Sequence, residues 1–287
     1  MKKIYEFLLW DNCNNNCKFC WQRKEPRLYD HNTRLIILND VIEFIQSDKF
    51  EKGSHVLVCG GEIFDKPSDF QVLSTFFFII IQLMKQGIID LLYLNTNLIY
   101  LNINGLYDAL EQLKNADLLH RVHFTTSYDI EGRFKNEHDR NVMLTNLETI
   151  SNKYPDLPII TNVILTKQAC DAIIDGRFKV KDFMEKNNCW VNLLPYIVLD
   201  NEFTADRATI FKALKAVDAQ CPGYLEKYVP NMCIKQEKWL YMYKEGEFQF
   251  CSCVISPDCG HAINFKKYSP EGSCFCCDLE NVFGEYI

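Results

Sequence analysis

The fold is decided by a short apolar run and by the cysteine-rich stretch that follows it. The run is Tyr5-Glu6-Phe7-Leu8-Leu9-Trp10, and the stretch is Cys13-Asn14-Asn15-Asn16-Cys17-Lys18-Phe19-Cys20. The apolar run predicts a β-strand. The three cysteines have the spacing C-x3-C-x2-C, which should arise by chance only about 0.03 times in a chain of this composition. The pattern therefore predicts a metal-binding loop directly after a strand.

Three thiolates on one short loop can bind three irons of a 4Fe-4S cluster, so that the fourth iron has no protein ligand. An open coordination position of this kind distinguishes a reactive metal centre from a closed structural one. A zinc knuckle is the alternative, but it needs a fourth ligand nearby, and the nearest histidine is His31. The spacing favours a cluster bound by Cys13, Cys17 and Cys20.

The composition of the chain excludes several other classes of protein. Its net charge of −7 predicts no broad cationic surface, so no nucleic-acid partner is expected. The apolar N-terminal run is interrupted by Glu6 and ended by Asp11, and no small-residue cleavage site follows, so it is not expected to be a signal peptide. The apolar run from Phe76 to Met84 is too short to span a bilayer. We therefore expect a cytoplasmic protein without a membrane partner. Of its 14 cysteines, the three in 13–20 and the seven in 233–277 are expected to bind metal instead of forming disulfides.

Short apolar runs alternate with helical patterns along the first 200 residues. Continuous apolar strands separated by helices predict a parallel sheet covered on both faces, here an α/β fold with a partial (β/α)6 TIM-like barrel over residues 1–200. A small cysteine-rich metal-binding domain is predicted over 201–287. The predicted strands are Tyr5–Trp10, His55–Cys59, Leu91–Asn95, Arg121–Ser127, Ile159–Leu165 and Trp190–Pro195. The predicted helices are 35–47, 68–86, 104–115, 139–152, 169–187 and 204–219.

The cysteine loop, with Phe19 in its aromatic position, resembles the C-x3-C-x-aromatic-C motif of the radical S-adenosylmethionine (radical SAM) superfamily. The resemblance implies that the open iron binds the amino and carboxylate groups of SAM. It implies reductive cleavage of SAM to a 5′-deoxyadenosyl radical, which abstracts a hydrogen from substrate. It also implies that the backbone around Phe19 contacts the adenine of SAM.

Two later motifs resemble SAM-binding segments of the same superfamily. Gly60-Gly61-Glu62 follows the second predicted strand and resembles its GGE motif, which implies that the backbone and the glutamate hold the SAM ammonium group. Glycines allow close backbone approach, and a carboxylate pairs with a cation. Asn97 follows the third strand, where it either lines the SAM pocket or only shapes a turn. Cys59 is expected to be a packed strand residue.

The fourth and fifth strands carry three further candidates. Thr126-Ser127-Tyr128-Asp129 resembles a Ser-x-Asp segment of the superfamily, which implies that Ser127 contacts the SAM ribose or carboxylate and that the catalytic candidate Asp129 points at substrate. The alternative is a plain turn through Gly132. Asn162 is a polar side chain inside an apolar strand and must find a partner, either SAM or a core group.

Seven cysteines lie between residues 233 and 277. Cys233 and Cys251 flank Gly246 in a pattern that resembles the opening of the SPASM and twitch extensions of radical SAM enzymes. The resemblance implies an auxiliary 4Fe-4S cluster, with Cys233, Cys251, Cys274 and Cys277 as its expected ligands. The roles of Cys253, Cys259, Cys276 and His261 stay open, and a structural zinc made from four of these residues is the alternative.

The resulting hypothesis is a radical SAM enzyme of the oxidoreductase type that crosslinks or oxidises a peptide or protein side chain. Modification of a small metabolite or nucleotide is a second hypothesis, and a non-catalytic metal-binding protein is a third. The expected partners are the peptide, protein or small-molecule substrate and an electron donor such as flavodoxin or ferredoxin.

Overall fold

The structure is a computed structural model that describes residues 3–10, 12–18, 20, 29–99, 103–195, 203–225, 238–244 and 247–251. For the last two segments it describes the backbone alone. Within these residues the chain forms one eight-stranded sheet with helices packed on it.

The sheet is built from parallel strands that alternate with helices. The first six strands are β1 (Ile4–Leu8), β2 (Ser54–Cys59), β3 (Ile89–Asn95), β4 (Val122–Ser127), β5 (Ile159–Leu165) and β6 (Trp190–Pro195). Each is parallel to the next, in the order in which they occur along the chain. This arrangement confirms the predicted α/β class and fits a partial TIM-like barrel. All six predicted strands are present, with ends that differ by at most two residues.

Helices connect or follow these strands throughout the described part of the chain. They are α1 (His31–Gln46), α2 (Phe70–Lys85), α3 (Ile103–Asn115), α4 (Glu137–Lys153), α5 (Lys167–Ile174), α6 (Val180–Asn187) and α7 (Arg207–Gln220). Several begin at a side-chain cap: the carboxylate of Asp30 accepts from the Thr33 N–H, and Asn136 accepts from the Asp139 N–H. Such caps satisfy backbone donors that have no partner within the helix.

The prediction of one helix over 169–187 was wrong, because α5 and α6 are separate. Gly176 has a φ of +77°, a left-handed conformation that stops the right-handed helix. The N–H of Phe178 then bonds to the carbonyl of Ala172, which closes the turn. Both helices keep an apolar face, so periodicity alone did not separate them.

The apolar helix α2 covers the sheet. Together with the preceding turn, Pro67–Lys85 comprises 19 residues with a mean hydropathy of 1.3, enough by length and composition to cross a bilayer. Core helices of globular proteins pass the same test. Here Phe77, Ile80 and Met84 are fully buried in the main hydrophobic core, whereas Phe78 is exposed.

Among the described residues beyond residue 200, both a helix and a strand pair contact the barrel. Ile210, Leu214 and Val217 of α7 lie in a second core cluster with residues of β5 and β6. A hairpin of β7 (Lys238–Lys244) and β8 (Glu247–Cys251) extends the sheet, with β7 parallel to β1 and β8 antiparallel to β7. The predicted domain division at residue 200 stays a prediction.

Candidate active site

The three N-terminal cysteines lie on the loop that follows β1. Cys13 is exposed, Cys17 is buried and Cys20 is intermediate. All three line one cavity of about 270 Å³. Known small-molecule sites have volumes of roughly 300–1,000 Å³, so this cavity is close to the lower end of that range.

The cavity lies at the carboxyl ends of the parallel strands. Its lining includes the last residue of each of the first four strands, namely Leu8, Cys59, Asn95 and Ser127. This is the end of an α/β barrel at which ligands and catalytic groups are found. The remaining lining residues are Glu6, Asn15, Gly60, Gly61, Thr96, Asn97, Thr125, Arg133, Asn162 and Ile164.

Gly60 and Gly61 reach the cavity because the loop after β2 pairs closely with the chain after β1. The N–H of Gly61 donates to the Trp10 carbonyl at 2.7 Å, and the N–H of Glu62 donates to the Asn12 carbonyl at 2.7 Å. A Cβ atom on Gly60 would lie 2.6 Å from the Trp10 carbonyl oxygen. Only glycine therefore allows this approach, which fixes the loop beside the cysteines.

Glu62 is placed differently from its two neighbours. Its side chain is buried, and it is not among the residues that line the cavity. The carboxylate accepts from the Thr96 hydroxyl at 2.9 Å, from the Asn97 N–H at 2.6 Å and from the Phe64 N–H at 3.0 Å. The predicted contact with the SAM ammonium stays a prediction. The observed bonds make Glu62 a bridge between the loops after β2 and β3.

Burial raises the pKa of Glu62 to about 7, although the hydrogen bonds from Asn97, Phe64 and Thr96 act to lower it. The pKa of Glu62 is thus higher in the folded state than in the unfolded state. The stability that the protonated group contributes is complete below the unfolded-state pKa, and it is lost as the pH rises through about 7. Between pH 6 and pH 8 the loss should be about 1 kcal/mol of unfolding free energy. Glu62→Gln, which cannot titrate, should lack this loss.

Urea unfolding of both proteins at pH 6 and pH 8 measures this difference. Glu111→Gln is the matched control, because that carboxylate is 40% exposed and its hydrogen bonds to Lys153 and Tyr154 lower its pKa. The control should keep the wild-type pH dependence. Equal pH dependence in the wild type and Glu62→Gln would show that Glu62 does not titrate in this range.

Asn97 contacts the cysteine loop directly. Its amide nitrogen donates to Asn14 Oδ1 at 2.8 Å and lies 3.6 Å from Cys13 Sγ, while its amide oxygen accepts from the Ile99 N–H at 2.8 Å. Asn97 thus shapes the turn after β3 and also lines the cavity. Any contact with SAM stays a prediction.

The side of the cavity formed by β4 and β5 contains Ser127 and Asn162. They are paired in register between β4 and β5, and both line the cavity. Asn162 also accepts a hydrogen bond from the amide of Asn192 on β6 at 3.0 Å. The polar residue in β5 thus has a core partner and still faces the cavity, so the two predicted roles do not exclude each other.

Asp129 differs from the site candidates on β4 and β5 in its contacts. It is buried, and it is absent from the residues that line the cavity. One carboxylate oxygen accepts from the Ile164 N–H at 2.6 Å and the other accepts from the Arg133 guanidinium. Both oxygens therefore have partners, and Arg133 is the residue of the pair that reaches the cavity. The predicted contact of Asp129 with substrate stays a prediction that this geometry does not favour.

The thiols of Cys13, Cys17 and Cys20 fit an iron–sulfur cluster. Burial raises the pKa of the Cys17 thiol, so metal binding at neutral pH must release its proton. Within the described residues, no three His, Cys, Asp or Glu side chains converge to hold a single ion. A 4Fe-4S cluster does not need such convergence, because each thiolate binds a different iron.

One hydrogen-bond donor among the lining residues, the buried amide nitrogen of Asn15, has no partner among the described residues. Buried polar atoms in native proteins nearly always have a partner. Asn15 therefore offers a hydrogen bond to a polar molecule in the cavity.

Several predicted residues lie outside the described ones. These are Phe19, Cys233, Cys274 and Cys277 among the site candidates, with Cys253, Cys259, Cys276 and His261. Cys251 is described in its backbone only, at the end of β8. It pairs with Leu240, which pairs with Glu6 of β1. At about 4.8 Å between strands, the Cys251 backbone lies about 10 Å from that of Glu6.

Sequence reasoning missed six polar lining residues, namely Glu6, Asn15, Asn95, Thr96, Thr125 and Arg133. Glu6, Asn95 and Thr125 lie on strands, and all three alternate with buried neighbours, so strict alternation could have shown that they share one face of the sheet. Arg133 lies in the loop between β4 and α4, where no periodic signal exists. It could be found only from its three-dimensional contacts.

The fold was compared with solved structures. The match to native anSMEcpe with bound AdoMet has a TM-score of 0.53 at 12% identity, over 78% of this chain and 62% of that chain. The chain shares the fold of anSMEcpe. A structure of the hexahistidine-tagged form with bound AdoMet matches with the same TM-score and identity, over 79% of this chain and 60% of that one. The chain thus spans less than two thirds of the matched protein's length. No protein-family model matches the chain, and no curated protein is significantly similar to it.

Proposed function

We propose that this chain is a radical SAM enzyme. The observation that carries the proposal is the convergence of Cys13, Cys17 and Cys20 with Gly60 and Gly61 on one cavity at the carboxyl ends of parallel strands. The fold is that of anSMEcpe, an anaerobic sulfatase-maturating enzyme of the radical SAM superfamily whose structure contains AdoMet. The three cysteine thiols suit a cluster with one open iron, and the matched structure of the same fold contains AdoMet.

The residues that line the cavity have different roles in the proposed function. The three thiolates would hold three irons of a 4Fe-4S cluster, and this cluster, once reduced by an external donor, would supply the electron for cleavage of SAM to methionine and a 5′-deoxyadenosyl radical. The Gly60-Gly61 backbone admits the SAM amino acid group at close range. Asn15, Ser127 and Asn162 supply polar contacts, the backbone around Phe19 contacts the adenine, and Asn97 holds the cysteine loop.

The finer proposal is that the substrate is a peptide or protein side chain, which is crosslinked or oxidised. The C-terminal cysteine pattern supports a peptide or protein substrate. In this proposal an auxiliary 4Fe-4S cluster is bound by Cys233, Cys251, Cys274 and Cys277. The strand register supports a position beside the barrel for Cys251, two strands from Glu6. We further propose a cytoplasmic location and an electron donor of the flavodoxin or ferredoxin type.

The test is formation of 5′-deoxyadenosine. The full chain is reconstituted anaerobically with iron and sulfide, then mixed with dithionite and SAM, and the nucleoside is quantified. We expect product that depends on both the reductant and the cluster. Cys221→Ala, which removes a half-buried thiol outside the cavity lining, should retain the activity. A fully loaded protein that forms no 5′-deoxyadenosine would refute the proposed function.

A further inference from the structure

The loop between β4 and α4 is fastened to the cysteine loop at three points. The N–H of Lys18 donates to the Gly132 carbonyl at 2.8 Å, and Lys135 Nζ donates to the Asn14 carbonyl at 2.9 Å. The third contact is the hydrogen bond from Arg133 Nη1 to Cys17 Sγ, at 3.7 Å. The first two contacts fix the two loops relative to one another, and the third brings a cation to a proposed cluster ligand.

Arg133 is held rigidly in this position. Its side chain is only 12% exposed, and its Nε donates to the buried carboxylate of Asp129. The other oxygen of that carboxylate accepts from the backbone of Ile164 in β5, so the arginine is anchored to the barrel through Asp129. An arginine can serve two partners at once because its planar guanidinium carries five donors and a permanent charge.

We propose that Arg133 is a positioning residue that tunes the cluster through the sulfur of Cys17, and that Asp129 orients it. This inference rests on the proposed function, because it requires a cluster on Cys13, Cys17 and Cys20. Hydrogen bonds to the ligating sulfurs and the surrounding charge set the reduction potential of iron–sulfur clusters. A donor that withdraws electron density from the Cys17 thiolate favours the form that carries the extra electron.

The direction of the effect follows from charge. Reduction adds one electron to the cluster, supplied here by dithionite, and makes the cluster and its thiolates more negative. A fixed cation beside Cys17 stabilises that state more than the oxidised one, and both side chains are shielded from water. The Asp129 carboxylate offsets part of this charge, but it is the guanidinium that donates to the Cys17 sulfur. Arg133 thus raises the midpoint potential and eases the electron transfer that precedes SAM cleavage.

The experiment is a potentiometric titration of the reconstituted full chain, followed by electron paramagnetic resonance. The signal monitored is the one that is absent from a variant lacking Cys13, Cys17 and Cys20. Arg133→Gln should shift its midpoint to a more negative potential. We expect about a tenfold lower ratio of reduced to oxidised cluster at a fixed potential, which corresponds to about 59 mV for one electron.

Two further variants control for charge and folding. Arg177→Gln removes the same charge from an arginine whose side chain is 66% exposed and paired with Asp175, and its midpoint should match the wild type. Arg133→Gln leaves the buried Asp129 carboxylate without the guanidinium that pairs with it. Where this single variant does not fold, the double variant Asp129→Asn/Arg133→Gln is used in its place, because it removes both charges. The double variant should also have the more negative midpoint.

The outcomes separate this inference from the proposed function. A wild-type chain that assembles no cluster on the cysteine loop would refute both. Equal midpoints in the wild type and the Arg133 variants, each carrying the cluster, would refute only the tuning role. Lower cluster occupancy with an unchanged midpoint would also refute it, because that result means Arg133 merely supports the loop.

Discussion

Replacement of Cys13, Cys17 and Cys20 with alanine should abolish 5′-deoxyadenosine formation and lower the iron content by about four atoms per chain. The physical reason is the shared cavity: all three thiols line it, and within the described residues no other group of His, Cys, Asp or Glu forms a metal site that could replace them. Loss of one thiolate leaves one iron without its protein ligand. Each single variant should therefore lose most of its cluster as well.

Iron and sulfide analysis after anaerobic reconstitution measures the loss, and circular dichroism checks the fold. Cys221→Ala is the matched control and should keep its full iron content, because Cys221 lies at the end of α7 and outside the cavity lining. A triple variant that retains the wild-type iron content would show that the cluster lies elsewhere in the chain.

Gly60→Ala should destabilise the protein and weaken SAM binding. The new Cβ would lie 2.6 Å from the Trp10 carbonyl oxygen and 3.3 Å from the Trp10 nitrogen, and both atoms belong to the backbone, which cannot rotate aside. The loop after β2 must then move away from the chain after β1. We expect a loss of about 1–3 kcal/mol in unfolding free energy, typical of an overpacked site.

The weaker binding follows from the same displacement. The Gly61 N–H to Trp10 bond fixes the loop, so its loss moves the Gly60-Gly61 backbone relative to the cavity. A displaced contact worth about 1.4 kcal/mol lowers SAM affinity about tenfold. Equilibrium binding of SAM to the cluster-loaded proteins measures this change.

Gly176→Ala is the matched control for Gly60→Ala. Gly176 has a φ of +77° and open space around its Cβ position, so alanine there is strained but meets no neighbour. It should lower stability by about 1 kcal/mol and leave SAM affinity unchanged. Unchanged SAM affinity in Gly60→Ala would mean that this loop does not contact SAM.

The fold was predictable because it depends on short-range patterns. Each strand from β1 to β6 is a short run rich in apolar residues, and glycine or proline residues separate several of them from the helices. These signals also place the cysteine loop after β1 and Gly60 after β2, which is enough to bring them together at one edge of a parallel sheet. The break at Gly176 was missed because both flanking segments keep an apolar face.

The roles of the carboxylates were less predictable. Glu62 and Asp129 both occupy positions where the sequence suggests contact with a ligand, yet both are buried with their oxygens bonded within the protein. The role of a carboxylate depends on which donors the fold brings to it. One donor to each carboxylate, the N–H of Asn97 to Glu62 and the N–H of Ile164 to Asp129, comes from 35 residues away in the chain. Arg133 was missed for the same reason, since only the folded chain brings it to Cys17.

The electron paramagnetic resonance spectrum of the reduced cluster, recorded with and without SAM, tests the central claim most directly. If Cys13, Cys17 and Cys20 leave one iron open beside the cavity, SAM binds that iron and the spectrum of this cluster changes on addition of SAM. The change should be absent from the variant that lacks the three cysteines. A spectrum that SAM leaves unchanged, in a protein with the cluster fully assembled, would contradict the account.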